Sequence, residues 1–129
     1  MAPQTLIIGS YRRHFEHIAA LKASLESNGV TVRAPASDRI VNPGEDFALL
    51  ESDATSTPRD VQDRIFSLIR ASDFVVVANI DGYLGRATTL EIGYAIASGI
   101  DVLSCEPIDD PNIAGYVRPL GELAGRSGL

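Results

Sequence analysis

The chain is 129 residues long, 45% hydrophobic and 22% charged, with a formal net charge of −6 and a single cysteine. That length makes one domain, residues 1–129, able to bury a core without covalent staples, and the lone Cys105 excludes an internal disulfide. The negative balance excludes broad binding to nucleic-acid polymers or anionic membrane surfaces, while leaving room for a small nucleotide in a locally cationic pocket. The apolar run Leu6 to Ile8 is too short for a signal sequence, and no stretch approaches bilayer-spanning length, so a cytoplasmic location is expected.

Thr5 to Ile8 reads as a first strand, left through the Gly9-Ser10 turn. From about Arg12 to Ser27, Phe15, Ile18, Ala19, Leu21, Ala23 and Leu25 fall in a helical distribution that Asn28-Gly29 stops. Val30 to Arg33 then forms a second strand, completing a parallel crossover unit. Pro35 to Thr57 predicts a small hairpin or an acidic lid with short strands, since a structureless loop of that length is unusual. Thr57-Pro58 starts the next helix with a hydroxyl cap and a proline at its first position, and Val61, Ile65, Leu68 and Ile69 supply its buried stripe. The valine-rich run Phe74 to Ala78 is the third strand, covered by helices on both faces. A helix from about Ala87 to Ser98 and a fourth strand from Asp101 to Cys105 follow. Pro107, Pro111 and Pro119 break up the remainder, with room for a short helix, and Gly121 to Leu129 reads as a loose tail. Alternating strands and helices without internal repeats predict an α/β domain: a Rossmann-like three-layer fold with a mainly parallel central sheet.

In such a sheet, ligands bind in the crevice beyond the carboxyl ends of the strands. Glu91, in the first turns of the third helix, would look into that crevice. Two readings compete for it. Thr88-Thr89-Leu90-Glu91 fits a capping box, with the glutamate reaching back to the helix start. Alternatively, Gly82, Gly85 and Gly93 clear space around a carboxylate that acts as a nucleophile on a sugar carbon, through a glycosyl-enzyme ester. Asp73, just before the third strand, is either a turn residue or a contact to a base or leaving group. Asn79 and Asp81, at the strand's other end, either hold sugar hydroxyls or shape the Asp81-Gly82 turn. Gly9-Ser10-Tyr11-Arg12-Arg13 forms a second cluster, where backbone N–H groups, the Ser10 hydroxyl and one or both arginines would favour a phosphate. It is no P-loop, because Gly-Lys-Ser or Gly-Lys-Thr is absent. His14 and His17 stand three apart without further ligands and read as solvated or half-buried histidines. Cys105 reads as a small core residue. No metal or cofactor is called for.

Ala71-Ser72-Asp73-Phe74-Val75-Val76-Val77, leading through a glycine loop to Leu90-Glu91-Ile92-Gly93-Tyr94-Ala95, resembles the nucleoside 2-deoxyribosyltransferase superfamily, which includes deoxynucleoside 5′-monophosphate N-glycosidases. The likeness extends more loosely to Gly9-Ser10 and to the strand after Gly99. It implies that Glu91 attacks the anomeric carbon, that Asp73 contacts the departing base, and that Gly9, Ser10 and Arg12 receive a 5′-phosphate. It also implies a homo-oligomer with sites near subunit interfaces. Two positions depart from the pattern. The first strand, Thr5-Leu6-Ile7-Ile8, lacks the tyrosine that positions the nucleophile, leaving Tyr11 or Tyr83 to substitute. Where relatives carry aspartate or serine six residues before the glutamate, this chain has Gly85. The expected function is therefore cleavage or exchange at the N-glycosidic bond of a nucleoside or nucleotide. The alternatives are a nucleotide-binding or regulatory module of the same fold without chemistry, and a structural partner domain in which Glu91 is only a cap.

Overall fold

In a computed structural model, residues 2–36 and 57–125 are described. The expected lid between Pro35 and Thr57 falls, apart from its ends, outside them, as do residues 126–129 of the expected tail.

The first strand is one line of chain in two pieces, β1 (Gln4–Thr5) and β2 (Ile7–Gly9), joined by Leu6. Helix α1 (Tyr11–Ser27) and strand β3 (Thr31–Val32) follow, then α2 (Pro58–Arg70), β4 (Phe74–Ala78), a 3₁₀ turn at Ile80–Gly82, α3 (Arg86–Ala97) and β5 (Asp101–Ser104). The chain closes with a short α4 (Pro111–Ala114), β6 (Val117–Pro119) and a 3₁₀ helix over Leu120–Gly125. All strand pairs are parallel: β3 with β1, β2 with β4, β4 with β5, and β5 with β6. Leu6 links the two-stranded and four-stranded sheets, since Arg33 donates its N–H to Thr5 and Ile7 to Ala34 on one side, while Val76 donates to Leu6 on the other.

Each element forms for a local reason. All five residues of β4 are buried, as a strand with helices on both faces requires. The Thr57 hydroxyl accepts the Asp60 N–H at 3.1 Å and the Asp60 carboxylate takes the Thr57 N–H at 3.3 Å, so α2 opens with a full capping box before Pro58. Asn28 ends α1, and Gly29 follows with φ +84°, the left-handed backbone that glycine accepts without strain.

The sheet separates two apolar layers. On one face Ile18 and Leu25 of α1 meet Ile7, Val32, Phe74, Val76 and Leu103. On the other, Ile69 of α2 and Ile92 and Ala95 of α3 meet Leu6, Ile8, Val75, Val77 and Val102. The domain is thus a mixed α/β, Rossmann-like fold with parallel strands.

Two expectations need correction. A fifth line of the sheet, β6, was not anticipated: its three residues carry no periodicity, end in Pro119, and become a strand only because β5 pairs with them at the sheet edge, where proline is tolerated. The chain after Gly121 is not loose from its start, because Leu123 is buried in the α1-side core and pulls the 3₁₀ helix onto the sheet.

The strand order places β2 beside β4, with chain leaving one towards α1 and the other towards α3. There Gly9 pairs with Ala78, and a Cβ on residue 9 would stand 3.0 Å from the Ala78 carbonyl oxygen and 3.2 Å from its Cβ. Gly9→Ala should therefore lower stability by about 1–3 kcal/mol, the range for overpacking against atoms that cannot give way. The shift of the urea unfolding midpoint measures it.

Candidate functional site

A cleft of about 840 Å³ opens at this switch between β2 and β4. That is where an open α/β sheet offers a crevice to ligands. Its walls come from the end of β2 and the start of α1, from residues 33–36 after β3, from the inner side of α2, and from the start of α3. Glu91 is the one carboxylate among the described residues lining it, whereas Arg12, Arg33, Arg64 and Arg86 all contribute to its walls. The protein as a whole is acidic, yet among the described residues the walls of this concavity carry four arginines and one carboxylate, a balance that favours an anionic ligand.

Glu91 projects from the second turn of α3 and is 8% exposed. Gln62, on the facing side of α2, donates its Nε2–H to Glu91 Oε2 at 2.9 Å. Burial raises the carboxyl to a pKa of about 7, and the Gln62 hydrogen bond opposes that rise only in part. The capping-box reading of Glu91 fails on geometry. Helix α3 starts one turn earlier than that reading needs: Gly85 is its N-cap, Thr88 lies inside its first turn, and Glu91 bonds to another helix.

The glycines do not play the part expected of them around the carboxylate. Gly82 has φ +76° and completes the tight turn after Asp81, itself at φ +57°. Gly93 meets nothing within 4 Å of a built Cβ and is exposed. Gly85 does line the cleft, but the space it leaves is taken by Tyr83, whose hydroxyl and Cε2 lie 3.6 Å from where a Cβ would be.

The Gly9-Ser10-Tyr11-Arg12 turn lies in the cleft as a unit. Ser10 is the N-cap of α1 but makes no capping bond with its side chain, and no acid occupies the first turn. The helix end therefore keeps its partial positive charge for a ligand. The two arginines part company: Arg12 lines the cleft, while the Arg13 guanidinium lies over the Tyr83 ring, 4.1 Å from its centroid. Tyr11 gives its hydroxyl proton to the Ile7 carbonyl at 2.6 Å, so that proton is not offered to Glu91.

Besides Gly82, three predicted site residues lie outside the cleft. Asp73 sits at the amino end of β4, outside the cleft, where its carboxylate accepts the Gln4 N–H at 2.7 Å and its own N–H bonds the Gln4 carbonyl. Asn79 is buried and fully used. Its amide bonds both the N–H and the carbonyl of Glu106, at 2.9 and 2.8 Å, tying the end of β4 to the end of β5. Asp81 is exposed, and its N–H bonds the Glu106 carboxylate at 2.6 Å. All three stitch the sheet and its turns instead of meeting the cleft. Sequence reasoning missed Gln62, since nothing in α2 announces that one glutamine will face a carboxylate 29 positions on. Thr88 was seen only as a possible cap, yet it is buried at 3% exposure and lines the cleft. Cys105 is half-buried against the α1-side core, and burial and the neighbouring Glu106 raise its thiol pKa. No group of three or more metal-ligating side chains occurs among the described residues, and none of their helices is long and apolar enough to cross a membrane.

Because the Glu91 pKa is higher folded than the ordinary 4.5, the folded state holds a proton that the unfolded chain releases. Stability from this group is complete below pH 4.5, declines as pH rises towards 7, and is lost above it. Glu91→Gln keeps an acceptor for Gln62 and removes the buried charge. It should match the parent near pH 4 and exceed it by up to about 3 kcal/mol at pH 8, read from urea unfolding at the two pH values.

No known family profile matches the chain, and no curated protein matches it. Among solved structures it is similar to the CMP N-glycosidase BcmB of Clostridium botulinum, with 17% identity and a TM-score of 0.55 over 78% of this chain and 66% of that one. The chain thus spans just under two thirds of that protein's length. The likeness is one of fold: this domain has the Rossmann-like α/β architecture of an N-glycosidase.

Proposed function

We propose that the domain cleaves the N-glycosidic bond of a nucleoside 5′-monophosphate, with Glu91 as the nucleophile. The observation that carries this reading is one buried carboxylate facing four arginines among the described residues of the cleft, at the switch point of the sheet, opposite a helix start without a side-chain cap. The fold shared with a CMP N-glycosidase supports it. The Gly9–Arg12 turn binds the 5′-phosphate through backbone N–H groups, the Ser10 hydroxyl and the Arg12 guanidinium. That anchors the sugar with its anomeric carbon towards α3.

Gln62 holds Glu91 Oε2, leaving Oε1 to attack. The bond from anomeric carbon to base nitrogen breaks with its electron pair going to the base, while a carboxylate oxygen forms the new bond to carbon. Water then attacks the anomeric carbon, its hydroxyl displacing the carboxylate from the sugar and its proton passing to the departed base, which restores free Glu91. A carboxylate buried away from water is poorly stabilised on its own, but a sugar gaining positive charge supplies the missing counter-charge in a low-dielectric site. Burial of Glu91 therefore favours the transition state over the empty site.

Chromatography of nucleosides and nucleoside monophosphates incubated with the protein, with and without an acceptor base, tests this. Free base should appear from at least one monophosphate, and Glu91→Gln should reduce the rate by more than about 100-fold, as loss of a nucleophile does. Since the ionised carboxylate attacks, kcat/KM should rise with pH through about 7 and level off above it. Calorimetric binding of a monophosphate without base release would instead identify a binding module.

A further inference from the structure

Tyr83 holds a place in the cleft that the attack of Glu91 does not explain. It follows the left-handed pair Asp81 and Gly82, and its ring turns back between the starts of α1 and α3. Arg13 covers the ring at 4.1 Å, and the His14 ring meets it edge-on, with centroids 6.2 Å apart. The phenol lies against the start of α3, where a Cβ on residue 85 would be in ordinary contact with it, 3.6 Å from its hydroxyl and Cε2. Arg13, His14 and Gly85 thus border the ring, which stays 40% exposed to the cleft, and its hydroxyl has no hydrogen-bond partner among the described residues. Thr88, 3% exposed on the same wall, also has no partner for its hydroxyl among them.

The surroundings choose the ligand's charge. The Arg13 guanidinium, Arg86 at the first position of α3, and the N-terminal end of that helix are all positive, and no acid occupies its first turn. A phenol in such a setting donates to an anion. Gly85, beside which the phenol lies, precedes Glu91 by six residues, about 9 Å along the helix axis. We infer that the Tyr83 hydroxyl donates a hydrogen bond to the 5′-phosphate from the α3 side, facing the Gly9–Arg12 turn, and sets the preference for phosphorylated over unphosphorylated nucleosides. This assignment rests on the nucleotide reading above.

The test uses Glu91→Gln as a non-hydrolysing parent, titrated calorimetrically with nucleoside 5′-monophosphates and the matching nucleosides. Adding Tyr83→Phe, which keeps the ring under Arg13, should weaken monophosphate binding about 10-fold or more while nucleoside binding changes by less than about 2-fold. The thermal unfolding midpoint should stay where it is. Unchanged monophosphate affinity, or an equal loss for nucleoside and monophosphate, overturns the role of Tyr83 and leaves the Glu91 mechanism standing. Failure of the parent to bind any monophosphate overturns the nucleotide reading, and this assignment with it.

Discussion

At the carboxyl ends of β2 and β4, Gly9 lies opposite Ala78, and the two backbones come so close that a Cβ on residue 9 would be crowded, 3.0 Å from the Ala78 carbonyl oxygen. This approach joins the first strand to the centre of the sheet and sends the chain to opposite faces on leaving it. From β2 it enters α1 on one face. From β4 it enters α3 on the other. The gap between the two departing segments is the cleft, and its walls inherit whatever those segments carry. On one side are backbone N–H groups and Arg12. On the other are Tyr83, Gly85, Thr88 and Glu91.

The second constraint is the burial of Glu91 between α2 and α3. A carboxylate at 8% exposure with one neutral hydrogen-bond donor is a destabilising choice at neutral pH, and a purely structural helix would place an apolar residue there. That buried carboxylate in the cleft is what the proposed chemistry is built on. Asn79 and Thr57 show the contrast. Each is polar and each is answered by complementary partners, and neither needs a ligand to account for it.

Some of this was legible from residue order alone and some was not. The double-sided burial of Phe74 to Ala78, the cap at Thr57 and the stop at Asn28-Gly29 depend on residues within one turn or one strand of each other. Glu91 itself stood out because the family resemblance and the crevice rule converged on it. The competing cap reading was not resolvable by spacing, since Gly85 and Thr88 both make acceptable helix starts, and only the backbone shows that α3 begins at Arg86. Asp73, Asn79 and Asp81 looked equally chemical on paper. Their partners, Gln4 and Glu106, are 69, 27 and 25 positions away, distances over which side-chain type says nothing about pairing.

The sequence by itself determined the class of fold, the elements held by local signals, the position of the crevice and the carboxylate in it. These follow from periodicity, capping and turn chemistry, which act over a few residues, and from the rule that joins strand ends to ligand sites. Tertiary structure alone decided which polar groups pair with one another and which line the cleft. It tied the Asn79 amide and the Asp81 backbone N–H to Glu106, laid Arg13 on Tyr83, brought Gln62 to Glu91 and made a strand of Val117–Pro119. Those outcomes depend on desolvation and on contacts between distant segments, quantities that exist only once the chain has folded.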